Sequence, residues 1–222
     1  MQRRTIILAN LALFASAARA AAISEGDAGS GMRAALERGA LAAVDLLAKP
    51  DGFVGNPAVR IDLPGHLKDV ARLLRTAGQG KLIDDLLLAM NRAAELAVAA
   101  AKPLLLSAIK SISFSDAMRI LRGGEDAATQ YFAAKTRAPL ALQFLPIVTE
   151  ATQKVSLAQK YKTLASKASS LGLLKPEDAS IEQYVTTRAL DGLYLMIGLE
   201  ERKIRQDPIG TGSAILKKVF GG

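Results

Sequence analysis

Apolar residues recur at helical spacing along most of this chain, and the longest uninterrupted run is Gly80–Lys102. Reading GKLIDDLLLAMNRAAELAVAAAK, it aligns Leu82, Leu86, Ala89, Ala93 and Leu96 in one stripe, widened by Leu87 and Met90. A second face carries Asp84, Leu88, Asn91 and Glu95, with Asp85 and Arg92 beside it. Such a helix anchors a bundle. Its polar face either turns to water or carries polar groups towards a cleft.

The flanking pattern predicts more helices. Met32–Ala48 is amphipathic, with Leu36, Ala40, Ala43, Val44 and Leu47 inward, and Pro50 stops it. His66–Ala77 turns Leu67, Val70, Ala71 and Leu74 inward and ends on Gly78, so it pairs with the central helix as a hairpin. Pro103 breaks or kinks the chain before Leu104–Ile109. Ser113, with Asp116 three residues on, caps Phe114–Leu121. Glu125 and Asp126 open a short helix through Phe132. Thr136 caps a longer one to about Lys154, with Pro139 in its first turn and a bend at Pro146. A weaker helix spans Ala158–Ser169, and Ser180 with Gln183 forms a capping box ahead of Ile181–Gln206. After Pro208, residues 213–220 form an amphipathic tail that docks on the domain or on a membrane.

One stretch resists the helical period. Residues 50–64, PDGFVGNPAVRIDLP, hold three prolines and two glycines, yet Phe53, Val54, Val59, Ile61 and Leu63 are too apolar for a free linker. Val59, Ile61 and Leu63 alternate with Arg60 and Asp62, the period of an extended strand. A long loop of this kind closes a groove between helices or faces a ligand. The expected fold is all-α: a single bundle of roughly eight to ten helices with a long extended loop near residues 50–64.

Composition adds compartment. Residues 1–20, MQRRTIILANLALFASAARA, have a basic start at Arg3 and Arg4, an apolar centre and a small-x-small site at Ala18-Arg19-Ala20. They read as a signal peptide cleaved near Ala20, with an uncleaved anchor as the alternative. A loose leader, 21–31, then precedes the helical domain, 32–222. The expected location is the periplasm, with no transmembrane span in the mature chain. Removing Arg3, Arg4 and Arg19 lowers the formal charge from +8 to +5, a balance that favours mildly anionic partners such as lipid headgroups. Export and the lack of a base-reading motif argue against nucleic acid. With no cysteine and one histidine, disulfides, thiol catalysis and a zinc site drop out, and no cofactor is implied.

Candidate chemistry is confined to a few polar residues among apolar neighbours. Asn91, Arg92 and Glu95 ride on the central helix. Asp84 and Glu95 stand about 16 Å apart along its axis, too far to act as a hydrolytic pair. Asp191 sits in RALDGLYLMIGLEE, with Arg188 and Tyr194 three residues to either side. A buried carboxylate there needs a partner, Arg188 or Arg92. Its role is a structural ion pair, ligand binding or acid–base chemistry. Glu125, Asp126, Thr129, Gln130 and Tyr131 form a further polar cluster after two glycines, read chiefly as helix capping.

The runs LLAKPDGFVGNPAVRIDLP, GQGKLIDDLLLAMNRAAE, ILRGGEDAATQYF and YVTTRALDGLYLMIGLEERKIRQDP together resemble an exported bacterial family, domain of unknown function 4197. The chain departs from the family's usual pattern at Leu86 and Ala89. The resemblance implies an all-helical envelope protein and brings no catalytic residues. The reading expected is a non-enzymatic envelope protein that binds a hydrophobic or amphiphilic ligand, a lipid or another envelope component. The alternatives are a carboxylate hydrolase acting on cell-wall or lipid material, and a structural or assembly protein.

Overall fold

A computed structural model describes residues 25–121, 123–154, 156–170 and 180–207. The expected signal peptide, the turn at 176–179 and the tail at 213–220 lie outside the described residues. Seven helices are described: α1 (Glu25–Leu47), α2 (Gly65–Thr76), α3 (Gly80–Lys110), α4 (Phe114–Leu121), α5 (Ala127–Lys154), α6 (Leu157–Ser170) and α7 (Ile181–Gln206). Among the described residues there is no β-strand, and no helix is long and apolar enough to cross a membrane.

The bundle is built on α3, which packs against α1, α2, α5, α6 and α7, while α1 and α5 also flank α7. Ala89, Ala93, Ala94 and Ala97 are buried along α3, and their small side chains let its neighbours approach closely. The larger residues of the core include Met32, Leu36, Phe53, Leu86, Met90, Phe132 and Phe144.

Several boundaries differ from the local pattern, each for a tertiary reason. The expected leader is helical from Glu25, because α1 packs on α4 and α7 and outweighs the poor propensity of its glycines. Pro103 lies inside α3 rather than breaking it, and Pro139, expected in a first turn, lies like Pro146 in the interior of α5. All three are exposed, and so are Ala99, Lys135 and Leu142, whose carbonyls lose their helical donors. Water can therefore reach the carbonyls that lack a helical donor. Thr136 is consequently not a cap: α5 is continuous through it, and its hydroxyl bonds the Phe132 carbonyl at 2.6 Å. On α3, Leu82 is only partly buried and Leu96 lies exposed, while Ile83, Ala94 and Ala97 take their places inside.

Other signals hold as read. The Ser180 hydroxyl accepts from the Gln183 amide at 3.2 Å and caps α7. Gly78 adopts φ 77° at the α2–α3 turn, a left-handed conformation that glycine tolerates without strain.

Candidate functional site

The polar residues of α3 meet the segment between α1 and α2, here called the strap. After Pro50 the backbone turns sharply: Asp51 has φ 65°, and Gly52, Gly55 and Asn56 close successive tight hydrogen bonds. Only the stretch from Arg60 is extended, so the strap is a coil of turns leading into a short straight run. Phe53, Val59, Ile61 and Leu63 are buried, and Arg60 and Asp62 face outward, as the two-residue alternation requires. Gly192 of α7 makes room for this coil. A Cβ at that position would stand 3.1 Å from the Phe53 ring and from Val59.

Among the described residues no strand pairs the strap's backbone, and side chains do it instead. The Ile61 amide donates to Asn91 Oδ1 at 2.9 Å, and Asn91 Nδ2 returns a bond to the Ile61 carbonyl at 2.9 Å. The same Nδ2 donates to the Leu87 carbonyl at 2.8 Å. One carboxamide therefore acts as the neighbouring strand for a single residue. One turn further along α3, Glu95 Oε1 accepts from the Phe53 amide at 3.1 Å. Its other oxygen takes Arg92 at 2.7 Å, and Arg92 reaches on to Asp51 at 2.8 Å. Arg92, Glu95 and Asp51 thus form one hydrogen-bonded set, and Asn91, one turn earlier on α3, holds the strap separately through Ile61. Asn91 is fully buried and Glu95 is 4% exposed, so these groups hold the strap and are not presented to solvent.

Asp191 and Tyr194 lie on α7 and do not join that set. The expected burial of Asp191 is corrected, and of its two expected partners Arg188 is present and Arg92 is not. The Asp191 side chain is 42% exposed, and its close partner is Arg137 of α5 at 2.7 Å, with Arg188 at 3.6 Å. The aspartate sits at the rim of the α7 packing face, where the strap ends and water begins. Tyr194 shares a hydrogen bond of 2.8 Å with Thr136 and stacks under the Arg137 guanidinium at 5.1 Å. Burial pushes its hydroxyl above the usual tyrosine range. Asp191→Ala is therefore expected to cost no more than about 1 kcal/mol in urea denaturation, because a half-exposed pair is largely screened. A loss of about 3 kcal/mol or more would restore the buried-centre view.

The deeply buried carboxylate on α7 is instead Glu201, 3% exposed. It accepts from the amides of Ala128 and Thr129 at 3.1 and 2.8 Å and from the Thr129 hydroxyl at 2.6 Å. Arg205 closes the set at 2.9 Å. Glu201 caps α5 from another helix. The available signal was its period: it falls between Ile197 and Ile204 on the inward face of α7.

Beside the strap lies an open cleft of about 420 Å³. Its walls are the outer face of strap residues 58–63, the start of α2 and one side of α7. Tyr184 donates to the Asp62 carbonyl at 2.8 Å and carries Arg188 over its ring at 5.4 Å. Arg60 leans on Asp62 at 3.7 Å. Lys68 lines the cleft and has no ion-pair partner among the described residues. Asp191 is already answered by Arg137, which leaves the cleft with a cationic surplus. A smaller hollow of about 280 Å³ lies between α4 and α5. There Tyr131 sits between Arg119 and Lys135, 5.8 and 5.7 Å from its ring. Burial and a hydrogen bond to Asp116 push its hydroxyl up to about 12. Among the described residues no three histidines or carboxylates converge to hold a metal.

No curated protein and no solved structure matches this chain. A family described as a protein of unknown function, DUF4197, matches residues 22–221. With nearly the whole sequence covered, including the strap, its α3 anchors and the Glu201 cap, the chain belongs to the DUF4197 family.

Proposed function

We propose that this chain is a non-enzymatic envelope protein that binds an anionic ligand in the cleft between the strap and α7. The observation that carries this reading is that Lys68, with no ion-pair partner among the described residues, lines together with Arg188 a cleft of about 420 Å³, within the size range of small-molecule sites. Anionic ligands gain from such a surplus, and Tyr184 holds Arg188 in place through its ring. The envelope setting rests on the signal-like residues 1–20. The hydrolase alternative has less support. Glu95 lies beneath the strap, bonded to Phe53 and Arg92, and Asp191 is held by Arg137.

Native mass spectrometry of protein purified from its own envelope tests the reading. A retained adduct is expected on the natural chain and is expected to be lost in Lys68→Glu. A bare protein mass in both, with a defined oligomer, would favour an assembly role and overturn the binding proposal.

A further inference from the structure

The cleft does not stand alone. A second groove, about 330 Å³, runs along α2 and α3 and shares Asp62, Leu63 and Lys68 with it. The two differ in chemistry. The first is walled by charged side chains. The second has an apolar floor of Leu63, Ala71, Ile83 and Leu87, and Lys68 and Arg72 stand among its lining residues. Lys68 occupies the junction.

A polar compartment whose three basic residues outnumber its two aspartates, continuous with a groove lined by apolar and basic residues, matches a molecule with an anionic head and a hydrocarbon chain. The geometry points to an anionic amphiphile of the lysophospholipid type. Its phosphate would sit between Lys68 and Arg188, and its acyl chain would lie in the α2–α3 groove over Ala71 and Leu87. Charge complementarity selects the head. Lys68 is unpaired among the described residues, whereas Arg72 and Arg75 of α2 are engaged by Asp69 and Asp84. Leu87 selects the tail: it is the partly exposed apolar side chain of the groove, flanked by the alkyl stems of Lys68, Arg72 and Arg75, while Leu63, Ala71 and Ile83 close the floor from beneath. A free phosphate ester would use only the first compartment. This assignment rests on the cleft reading proposed above and adds the chain groove to it.

Titration calorimetry on the purified, delipidated full chain separates the two. The probes are glycerol phosphate, lysophosphatidylglycerols of increasing chain length below their micelle concentrations, and lysophosphatidylcholine of matched length. Lysophosphatidylglycerol is expected to bind more tightly than glycerol phosphate. Its affinity should rise about tenfold for every three or four added methylenes, because an open groove covers only part of the chain. Lys68→Glu should weaken every anionic probe at least tenfold. Leu87→Gln should flatten the chain-length dependence while leaving glycerol phosphate affinity unchanged. Should Leu87→Gln fail to fold, the chain-length series on the natural protein decides alone. Equal binding of glycerol phosphate and long-chain lysophosphatidylglycerol would overturn the acyl groove and leave the anionic cleft standing. Equal binding of lysophosphatidylcholine would overturn the anionic head assignment. Binding of no probe would overturn both readings.

Discussion

Glu201→Ala is expected to destabilise the protein by about 3–5 kcal/mol in equilibrium urea denaturation, among the largest effects of any single polar substitution in this chain. The size follows from what the side chain leaves behind. Two amides at the start of α5, those of Ala128 and Thr129, lose their acceptor, as does the Thr129 hydroxyl. Arg205, whose side chain is 14% exposed, loses its carboxylate. Each orphaned buried donor costs about 1–3 kcal/mol, and Arg205, which keeps other partners, loses a charge-assisted bond. Glu201→Gln keeps one acceptor and the shape but turns an amide NH2 towards a donor, so a loss of about 1–3 kcal/mol is expected. Hydrogen exchange should localise the change, with protection falling first at residues 127–132. An alanine variant within about 0.5 kcal/mol of the natural protein would mean that solvent caps α5 and that Glu201 is dispensable.

Asn91→Ala is expected to cost about 3 kcal/mol and to loosen the strap before the bundle. Among the described residues Asn91 is the partner of both backbone groups of Ile61, at 2.9 Å each, and it is fully buried. Removing it orphans one amide and one carbonyl and leaves a small void. Asn91→Asp provides the sharper test. A carboxylate still accepts from the Ile61 amide, but it then faces the carbonyls of Ile61 and Leu87 with no proton to offer. Asparagine's mixed donor and acceptor character is what the site requires, so the near-isosteric aspartate should be about as damaging as alanine. Limited trypsin digestion reads the local step, because Arg60 is an exposed residue on the strap. Early cleavage after Arg60 in both variants is the expected result. An aspartate variant that resists trypsin like the natural protein would remove Asn91 as the strap's anchor.

The helical class was legible because its signals are local. Ser180 caps α7 through an amide three residues away, and Gly78 ends α2 by its own backbone freedom. The inward sets of α1 and α2 follow a 3.6-residue period that needs no knowledge of a partner. The burial of Phe53 and Ile61 was legible too, since so many apolar residues between prolines cannot remain in water.

The sites were less legible, because one side-chain pattern has several tertiary outcomes. Asp84 and Glu95 repeat on the same polar face of α3, yet Asp84 is exposed and bonds Arg75 while Glu95 lies under the strap. Their fates differ because the strap crosses only the second half of that face, and the bond that marks the crossing joins residues 42 positions apart. Asp191 and Glu201 sit ten residues apart on α7, and the one in the more apolar stretch, Asp191, is the more exposed. Which of them is buried depends on where α5 begins, and the first lies at a rim beside Arg137 while the second meets two free amides. The prolines show the same division. Sequence alone determined where helical hydrogen bonds would be lost, because a proline nitrogen carries no hydrogen. Tertiary packing decided that the helices continue, because Pro103, Pro139 and Pro146 all face water, which can bond the freed carbonyls, while the opposite sides of α3 and α5 remain packed in the core.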